Sequence, residues 1–92
     1  MHKLVVPGHI RELIRTMHSF LKKKVKSSLK MILSDPYLGK TLGDELAGLR
    51  SLRISSFRII YGIKEPEQIE LVAVGPRERI YEETLRIIQK GK

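Results

Sequence analysis

The stretch that decides the fold is RSLRISSFRIIYGIKEPEQIELVAVGP, residues 50–76. Apolar, β-branched and aromatic side chains recur with a period of two in three runs, at 50–54, 57–63 and 69–74. Polar residues typical of turns separate these runs at 55–56 and 65–68. Consecutive strands with such short connections pair in antiparallel order. The stretch therefore predicts a small antiparallel sheet.

Upstream of this stretch, the apolar residues change to the period of a helix. Apolar positions 10, 13, 14 and 17 fall on one face of a first helix. A second helix is predicted from Ser19, as its N-cap, to about Ser34, because Asp35-Pro36 disfavours further helix. The very short connection between the two predicts an antiparallel helical hairpin.

The remaining elements complete a single predicted domain, residues 1–92. Residues 2–6 are expected to form a strand, 35–48 a loop with one short helical turn, and the segment from Ile80 a third helix. That last segment carries acids early and cations late, which suits the helix dipole. The predicted order is β-α-α-β-β-β-α. We expect an α+β fold, with a small antiparallel sheet and the helical hairpin packed on one face.

Net charge and composition limit the classes of partner and of functional site that we expect. The 92 residues hold 18 Lys and Arg against 10 Asp and Glu, a formal charge of +8, which favours nucleic acid, an anionic surface or an acidic protein. With no Cys, disulfides, thiolate zinc sites and a cysteine nucleophile are excluded. His2, His9 and His18 lack metal-ligand spacing, so no metal is expected. No apolar run is long enough for a membrane span or a signal peptide, and a cytoplasmic protein is expected.

The turns also predict a register, and with it a cluster of arginines. A hairpin tip at Ser55-Ser56 places Arg53 opposite Arg58. The next turn places Arg58 opposite Gly75 and Tyr61 opposite Val72. Alternation then puts Arg53 and Arg58 on one open face, with Arg77 just beyond the strand, while the helices cover the apolar face.

Like charges directly opposite each other are unfavourable in a sheet, so these three arginines indicate an anionic ligand. Arginine grips phosphate in two places, and the small Gly75 and Ala73 would leave room for a ligand backbone. The alternative is that the arginines are solvated, or pair with Glu78 or with another carboxylate whose predicted position is wrong. The lysine row Lys22, Lys26 and Lys30 is either a solvated face or a stripe that tracks phosphates. Tyr81 is either an ordinary half-buried aromatic or a residue that stacks on the ligand.

Several motifs in order resemble those of the RelE/ParE toxin superfamily, in particular its RelE-like members. They are Asp35-Pro36, LGDELAG at 42–48, SLRI at 51–54, FRIIY at 57–61, VGPR at 74–77 and Ile80-Tyr81. The resemblance implies the toxin of a type II toxin–antitoxin module, an mRNA interferase. Such an endoribonuclease cuts mRNA in the ribosomal A site by metal-independent attack of the 2′-OH, needs no cofactor and is blocked by a cognate antitoxin protein.

The resemblance also assigns roles. It implies that Arg58 binds the scissile phosphate, that Arg77 stabilises the developing charge and that Tyr81 orients the nucleophile or stacks on the substrate. Arg53 matches a basic position near the active face. The resemblance and the charge pattern together lead us to predict further RNA-binding residues: Lys22, Lys26, Lys30, Arg50 and Arg79.

One departure keeps other functions open. Many relatives carry a His where this chain has Pro76, which implies weak cleavage in solution and dependence on the ribosome. The alternatives are a ParE-like inhibitor of DNA gyrase and a basic nucleic-acid-binding module without catalysis. No membrane partner is expected in any of the three cases.

Overall fold

The sheet has five strands in the order β1-β5-β4-β3-β2, in a computed structural model that describes residues 2–64 and 67–90. The strands are β1 (Lys3–Val5), β2 (Lys40–Thr41), β3 (Leu49–Ile54), β4 (Phe57–Lys64) and β5 (Gln68–Pro76). The helices are α1 (Gly8–Arg15), α2 (Ser19–Ser34) and α3 (Ile80–Lys90), with a 3₁₀ turn at Asp44–Leu46. The predicted α+β class is confirmed, and the predicted elements occur in the predicted order with one further strand, β2. Part of the predicted turn at 65–68 lies outside the described residues.

The edges of the sheet differ from the prediction. The first strand, β1, pairs with β5 in parallel, so the sheet is mixed rather than wholly antiparallel. The two-residue strand β2 pairs with β3, inside the segment predicted as a loop. A strand this short leaves no periodic signal in the sequence. At the start of α2 the cap is His18, whose Nδ1 accepts a hydrogen bond from the Phe20 amide at 3.3 Å, and Ser19 is the first helical residue.

Both faces of the sheet are covered, by different helices. On the first face, the α1–α2 hairpin buries the larger core, which includes Ile14 and Ile32 from the helices and Ile59 and Leu71 from the sheet. On the second face, Ile80 of α3 packs against the sheet in a smaller cluster that also includes Ile60 and Ala73. The face predicted to be open is therefore covered in part by α3.

A β-bulge between β4 and β5 changes the register near the predicted turn. Tyr61 lies opposite Leu71, and not Val72 as predicted, because the register shifts between Ile60 and Tyr61. Leu71 consequently belongs to the first face and packs in the larger core, whereas Val72 packs beside the smaller cluster. On the far side of the bulge, Arg58 lies opposite Gly75, as predicted.

Tyr61 ties the loop after α2 to the sheet. Its side chain is fully buried, and its hydroxyl donates to the Pro36 carbonyl at 2.8 Å and accepts from the Gly39 amide at 2.9 Å. Burial raises the pKa of the Tyr61 hydroxyl above its ordinary value, against a smaller lowering by the Gly39 amide. The neutral phenol is therefore the form that the fold stabilises.

This raised pKa predicts a loss of stability in alkali. The unfolded chain releases the Tyr61 proton near pH 10, before the folded chain does, so the free energy of unfolding is expected to fall as the pH rises through about 10. The measurement is urea unfolding across this range for the wild-type protein and for Tyr61→Phe, which cannot titrate there. The variant should show the shallower decline. Parallel curves for the two proteins would contradict the prediction.

Candidate functional site

Arg58 lies at the centre of the predicted arginine cluster. Strand pairing places it between Arg53 on β3 and Gly75 on β5, all in one rung of the sheet. This register agrees with the prediction from the hairpin turn. Because side chains alternate along a strand, Arg58 shares the second face with Ile60, the face on which α3 packs.

Two side chains hold the Arg58 guanidinium. Its Nη1 donates to the Ser51 hydroxyl at 3.2 Å, and its central carbon lies 5.9 Å from the centre of the Tyr81 ring. The Tyr81 and Ser51 hydroxyl oxygens are 3.4 Å apart, so the three residues form a connected set. The Arg58 Nε is buried without a hydrogen-bond partner. The structure thus brings together Arg58 and Tyr81, both predicted, through Ser51.

In the described residues, Arg53, Arg58 and Arg77 form no ion pair with a carboxylate. Within residues 2–64 and 67–90, the ion pairs are Arg15–Glu12, Lys64–Glu70 and Arg86–Glu82. Arg53, Arg58 and Arg77 are in none of them. The alternative in which these arginines are paired with Glu78 is therefore not what the structure shows. Their charge is available to an anionic ligand.

Arg53 and Arg77 share a cleft that Arg58 does not line. Arg53 and Arg77 are exposed and line a cleft of about 360 Å³ together with Ser55, Ser56 and Glu78, whereas Arg58 is not among the lining residues. The Arg53 Nε points toward the hairpin tip and donates to the Ser55 carbonyl at 3.4 Å. The structure thus brings Arg53 and Arg77 to one cleft and Arg58 to Ser51 and Tyr81. Binding of one phosphate by all three arginines stays a prediction.

The space for a ligand that was predicted beside Gly75 is filled by side chains of α3. A Cβ atom added at Gly75 would lie 3.1 Å from Ile80 Cδ1 and 3.4 Å from Glu83 Oε2, both from α3. Ala73 is also buried, at 4 % exposure. These small residues therefore serve the packing of α3 and leave no space for a ligand backbone, contrary to the prediction.

The other predicted RNA-binding residues lie on several elements of the fold. Lys22 and Lys26 line a groove in the α1–α2 hairpin, on the other side of the sheet, and Lys30 is exposed on the same helix. The Arg50 Nη1 instead donates to the carbonyls of Tyr37 and Gly39, at 3.1 and 2.7 Å. Arg79 is exposed just before α3.

The sheet separates the lysines of α2 from Arg58, so those lysines do not form one surface with it. Arg50 has a structural role in holding the loop after α2. RNA binding at all five residues stays a prediction.

Ser51 is the site residue that sequence reasoning missed. It is 2 % exposed and connects Arg58 to Tyr81. A signal was present, because strand alternation puts Ser51 on the same face as Arg53. A small serine beside an arginine, however, reads as an ordinary strand position until Tyr81 is placed next to it.

Removing the Ser51 hydroxyl is expected to loosen Arg58. In Ser51→Ala the Kd for inorganic phosphate should rise about threefold to tenfold, which is the range for one hydrogen bond. The Arg58 Nε–H resonance should also shift, because the guanidinium loses its anchor. The matched control is Ser27→Ala, at an exposed position on α2, which should change neither value. An unchanged Kd and resonance in Ser51→Ala would show that Ser51 merely fills space.

Solved structures share this fold. One is the RelBE2 toxin–antitoxin complex of Mycobacterium tuberculosis, with 22% identity over 83% of this chain and 98% of that one, and a TM-score of 0.72. Another is isolated Escherichia coli RelE, with 20% identity over 96% of this chain and 99% of that one, and a TM-score of 0.72. A doubly substituted E. coli RelE in the free state has 17% identity over 97% of this chain and 95% of that one, and a TM-score of 0.77. The fold is thus that of a RelE-type toxin.

The sequence itself defines the family. Residues 9–81 match the family model described as the ParE toxin of a type II toxin–antitoxin system, parDE. The chain therefore belongs to this toxin family, and the resemblance to the RelE/ParE superfamily is confirmed. No curated protein sequence matches the chain significantly.

Proposed function

We propose that this toxin is a ribosome-dependent endoribonuclease that cleaves mRNA. The observation that carries the proposal is Arg58, a guanidinium free of any carboxylate in the described chain, held by Ser51 and lying near the Tyr81 ring. A positioned cation of this kind stabilises the charge that develops on a phosphate during transfer. The place of action would be the ribosome and so the cytoplasm.

The proposed step is an intramolecular transfer at one phosphate of the RNA. The 2′-oxygen attacks the adjacent phosphorus, the bond from phosphorus to the 5′-oxygen breaks, and the products carry a 2′,3′-cyclic phosphate and a 5′-OH. Arg58 binds the non-bridging oxygens, and Tyr81 stacks on or orients the substrate. Arg53 and Arg77 supply further positive charge. No metal ion or cofactor takes part.

Proton transfer is the weak part of this site. In the part of the chain that the structure describes, no hydrogen bond or ion pair brings a carboxylate or an imidazole to Arg58 or Tyr81. Pro76, at the end of β5, has no group that can titrate. We therefore assign to water the removal of the 2′-OH proton and the protonation of the 5′-oxygen. Cleavage of free RNA should be slow, and the ribosome should supply the alignment of the substrate.

We also propose that a cognate antitoxin protein binds this chain. One of the similar structures, that of Mycobacterium tuberculosis RelBE2, is described as a toxin–antitoxin complex. The net charge of +8 suits an acidic partner, and so does the groove in the α1–α2 hairpin. Its lining is the apolar Val6, Ile14 and Leu29 with the cations Arg11, Arg15, Lys22 and Lys26. Co-expression with the adjacent reading frame tests this, and a toxin that purifies alone would count against it.

A second function has a specific observation in its favour. The family model is described as a ParE toxin, and in the described residues no carboxylate or imidazole forms a hydrogen bond or ion pair with Arg58 or Tyr81. Inhibition of DNA gyrase without RNA cleavage is therefore the alternative. A basic nucleic-acid-binding module without activity is the third possibility.

One experiment separates these functions. Primer extension on mRNA from cells that express the toxin is compared with a gyrase supercoiling assay on the purified protein. Discrete breaks within codons, together with normal supercoiling, support the endoribonuclease. Intact transcripts with blocked supercoiling would establish the gyrase inhibitor, and two negative results would leave the binding module.

A further inference from the structure

We infer that the exposed ring of Tyr37 and the guanidinium of Arg50 form a platform on which one unpaired nucleobase stacks. The platform belongs to a cleft of about 240 Å³, the Tyr37 cleft, which is lined by Tyr37, Thr41, Gly48, Leu49, Arg50 and Ile63. The proposed function concerns Arg58 and a phosphate, and it does not use this cleft. The inference gives the toxin a second contact with RNA, apart from the cut.

The first argument is that Tyr37 is held in place although it is 62% exposed. Its backbone amide donates to Asp35 Oδ1 at 3.2 Å, and its carbonyl accepts from Arg50 Nη1 at 3.1 Å. The same Nη1 donates to the Gly39 carbonyl at 2.7 Å, and the Gly39 amide donates to the Tyr61 hydroxyl. A group fixed in advance loses little conformational freedom when a ligand binds, which favours a prepared site.

The second argument is the chemistry of the platform. The central carbon of the Arg50 guanidinium lies 5.0 Å from the centre of the Tyr37 ring, so the cation already covers part of one aromatic group. Among the described residues, Arg50 forms hydrogen bonds through Nη1 alone, which leaves its Nε and Nη2 hydrogens for a ligand. Unpaired bases stack on aromatic rings and on guanidinium planes, the two groups that meet here.

The third argument is the size and the polarity of the cleft. Its volume is below the roughly 300 Å³ at which sites for drug-sized ligands begin, so it suits a fragment such as one base. Leu49 and Ile63 supply apolar contact area. Thr41 lies opposite Arg50 in the β2–β3 ladder, so its hydroxyl shares a face with the guanidinium and can bond to the edge of a base. An acidic peptide would need several cations, and the lining has one.

The Tyr37 cleft is separate from the site around Arg58. Along β3, Arg50 is three residues from Arg53, the residue that pairs with Arg58, which is about 10 Å at the rise of a strand. Alternation also puts Arg50 on the first face of the sheet with Leu52, whereas Arg58 is on the second. The base therefore comes from a part of the message away from the cut, or from ribosomal RNA.

The test compares two probes on the full-length protein. One is an RNA trinucleotide with 2′-O-methyl groups, which cannot be cut, and the other lacks only its middle base. Both carry the same phosphates, so their difference measures the base alone. In an NMR titration at low salt, the complete probe should bind about fivefold tighter or more, the range for one stacked base. The backbone amide resonances of Thr41, Gly48 and Leu49 should shift.

The variants then locate the effect of the base. Tyr37→Ala should remove most of the difference between the probes and the shifts at Thr41 and Gly48, whereas Tyr37→Phe should keep both. The matched control is Phe20→Ala, which should change neither. Phe20 is also exposed, at 64%, and has a cation over its ring, Lys24 Nζ at 4.7 Å, but it does not line the cleft.

A further variant keeps the test valid if Tyr37→Ala does not fold. The chain contains no Trp, so Tyr37→Trp places a single indole in the cleft. Its fluorescence should be quenched by the complete probe and not by the probe that lacks the base.

Cross-linking distinguishes the two sources of the base. The variant Tyr37→p-azidophenylalanine is irradiated on ribosomes that carry mRNA. A cross-link to mRNA assigns the base to the message, and a cross-link to ribosomal RNA assigns it to the ribosome. Cross-links to protein alone would contradict the inference.

Two binding results would also overturn it. One is equal affinity of the wild-type protein for the two probes. The other is a base effect that persists in Tyr37→Ala and is lost in Tyr81→Ala, because that base would lie at the Arg58 site. Failure of the proposed function is a separate result, since intact mRNA in cells together with the expected binding pattern would reject RNA cleavage and keep the base platform.

Discussion

Replacing Arg58 with Ala is expected to lower the rate of mRNA cleavage on ribosomes by about a hundredfold or more, the order found when a preorganised charge donor is removed from a transition state. Arg58 is the one arginine of its face that contacts both Ser51 and Tyr81 in the described structure. Arg58→Lys should recover little of the rate, because an ammonium group cannot grip two phosphate oxygens in one plane. The measurement is primer extension in a reconstituted translation reaction.

The control for this prediction is Arg86→Ala. Arg86 is also an arginine near the second face, but it is exposed on α3 and forms a surface ion pair with Glu82 at 3.1 Å. Its removal should leave the cleavage rate within about twofold of wild type, since exposed ion pairs contribute little to stability. Full activity in Arg58→Ala, with the protein folded, would remove the central residue of the proposal. A comparable loss in Arg86→Ala would point instead to general charge.

Gly39→Ala is expected to lower the free energy of unfolding by about 3 kcal/mol, as for other substitutions that break a buried hydrogen-bond network. The added Cβ would lie 2.6 Å from the Tyr61 hydroxyl oxygen and 2.9 Å from its ring. Tyr61 is buried, so it cannot move aside without giving up its bonds to Pro36 and Gly39. Urea unfolding measures the effect.

A second glycine between α2 and β3, on the other side of β2, provides the matched control. At Gly43 an added Cβ meets nothing within 4 Å, so Gly43→Ala should change the free energy of unfolding by less than about 1 kcal/mol. Equal effects of the two substitutions would mean that loss of glycine flexibility in the loop, and not contact with Tyr61, determines stability.

Much of the site was predictable because hairpin geometry is local. The tip at Ser55-Ser56 places Arg53 opposite Arg58, and the structure agrees. The predicted pairing of Arg58 with Gly75 was also correct. The register predicted near the turn was off by one residue, because Lys64 pairs with Gln68 and Tyr61 with Leu71. The bulge supplies one extra residue between the turn and the site, and this residue cancels the error.

The functional roles of the site residues were harder to predict from the sequence. Ser51 lay on the predicted face, but its importance depends on Tyr81, which is distant in sequence and close only after α3 packs on the sheet. The lysines of α2 read as part of a basic surface, yet α2 lies on the first face and Arg58 on the second. Charge counts along the chain carry no information about which face of a sheet a helix will cover.

Period, turn chemistry and charge were enough to specify an α+β domain, a helical hairpin, the strand hairpin at its Ser-Ser tip and an excess of positive charge. These features depend on residues within a few positions of one another. The parallel pairing of β1, the packing of α3 over Gly75 and the meeting of Arg53 and Arg77 in one cleft depend on contacts between distant segments. Such contacts follow from the simultaneous burial of apolar surface on both faces of the sheet, which no local pattern encodes.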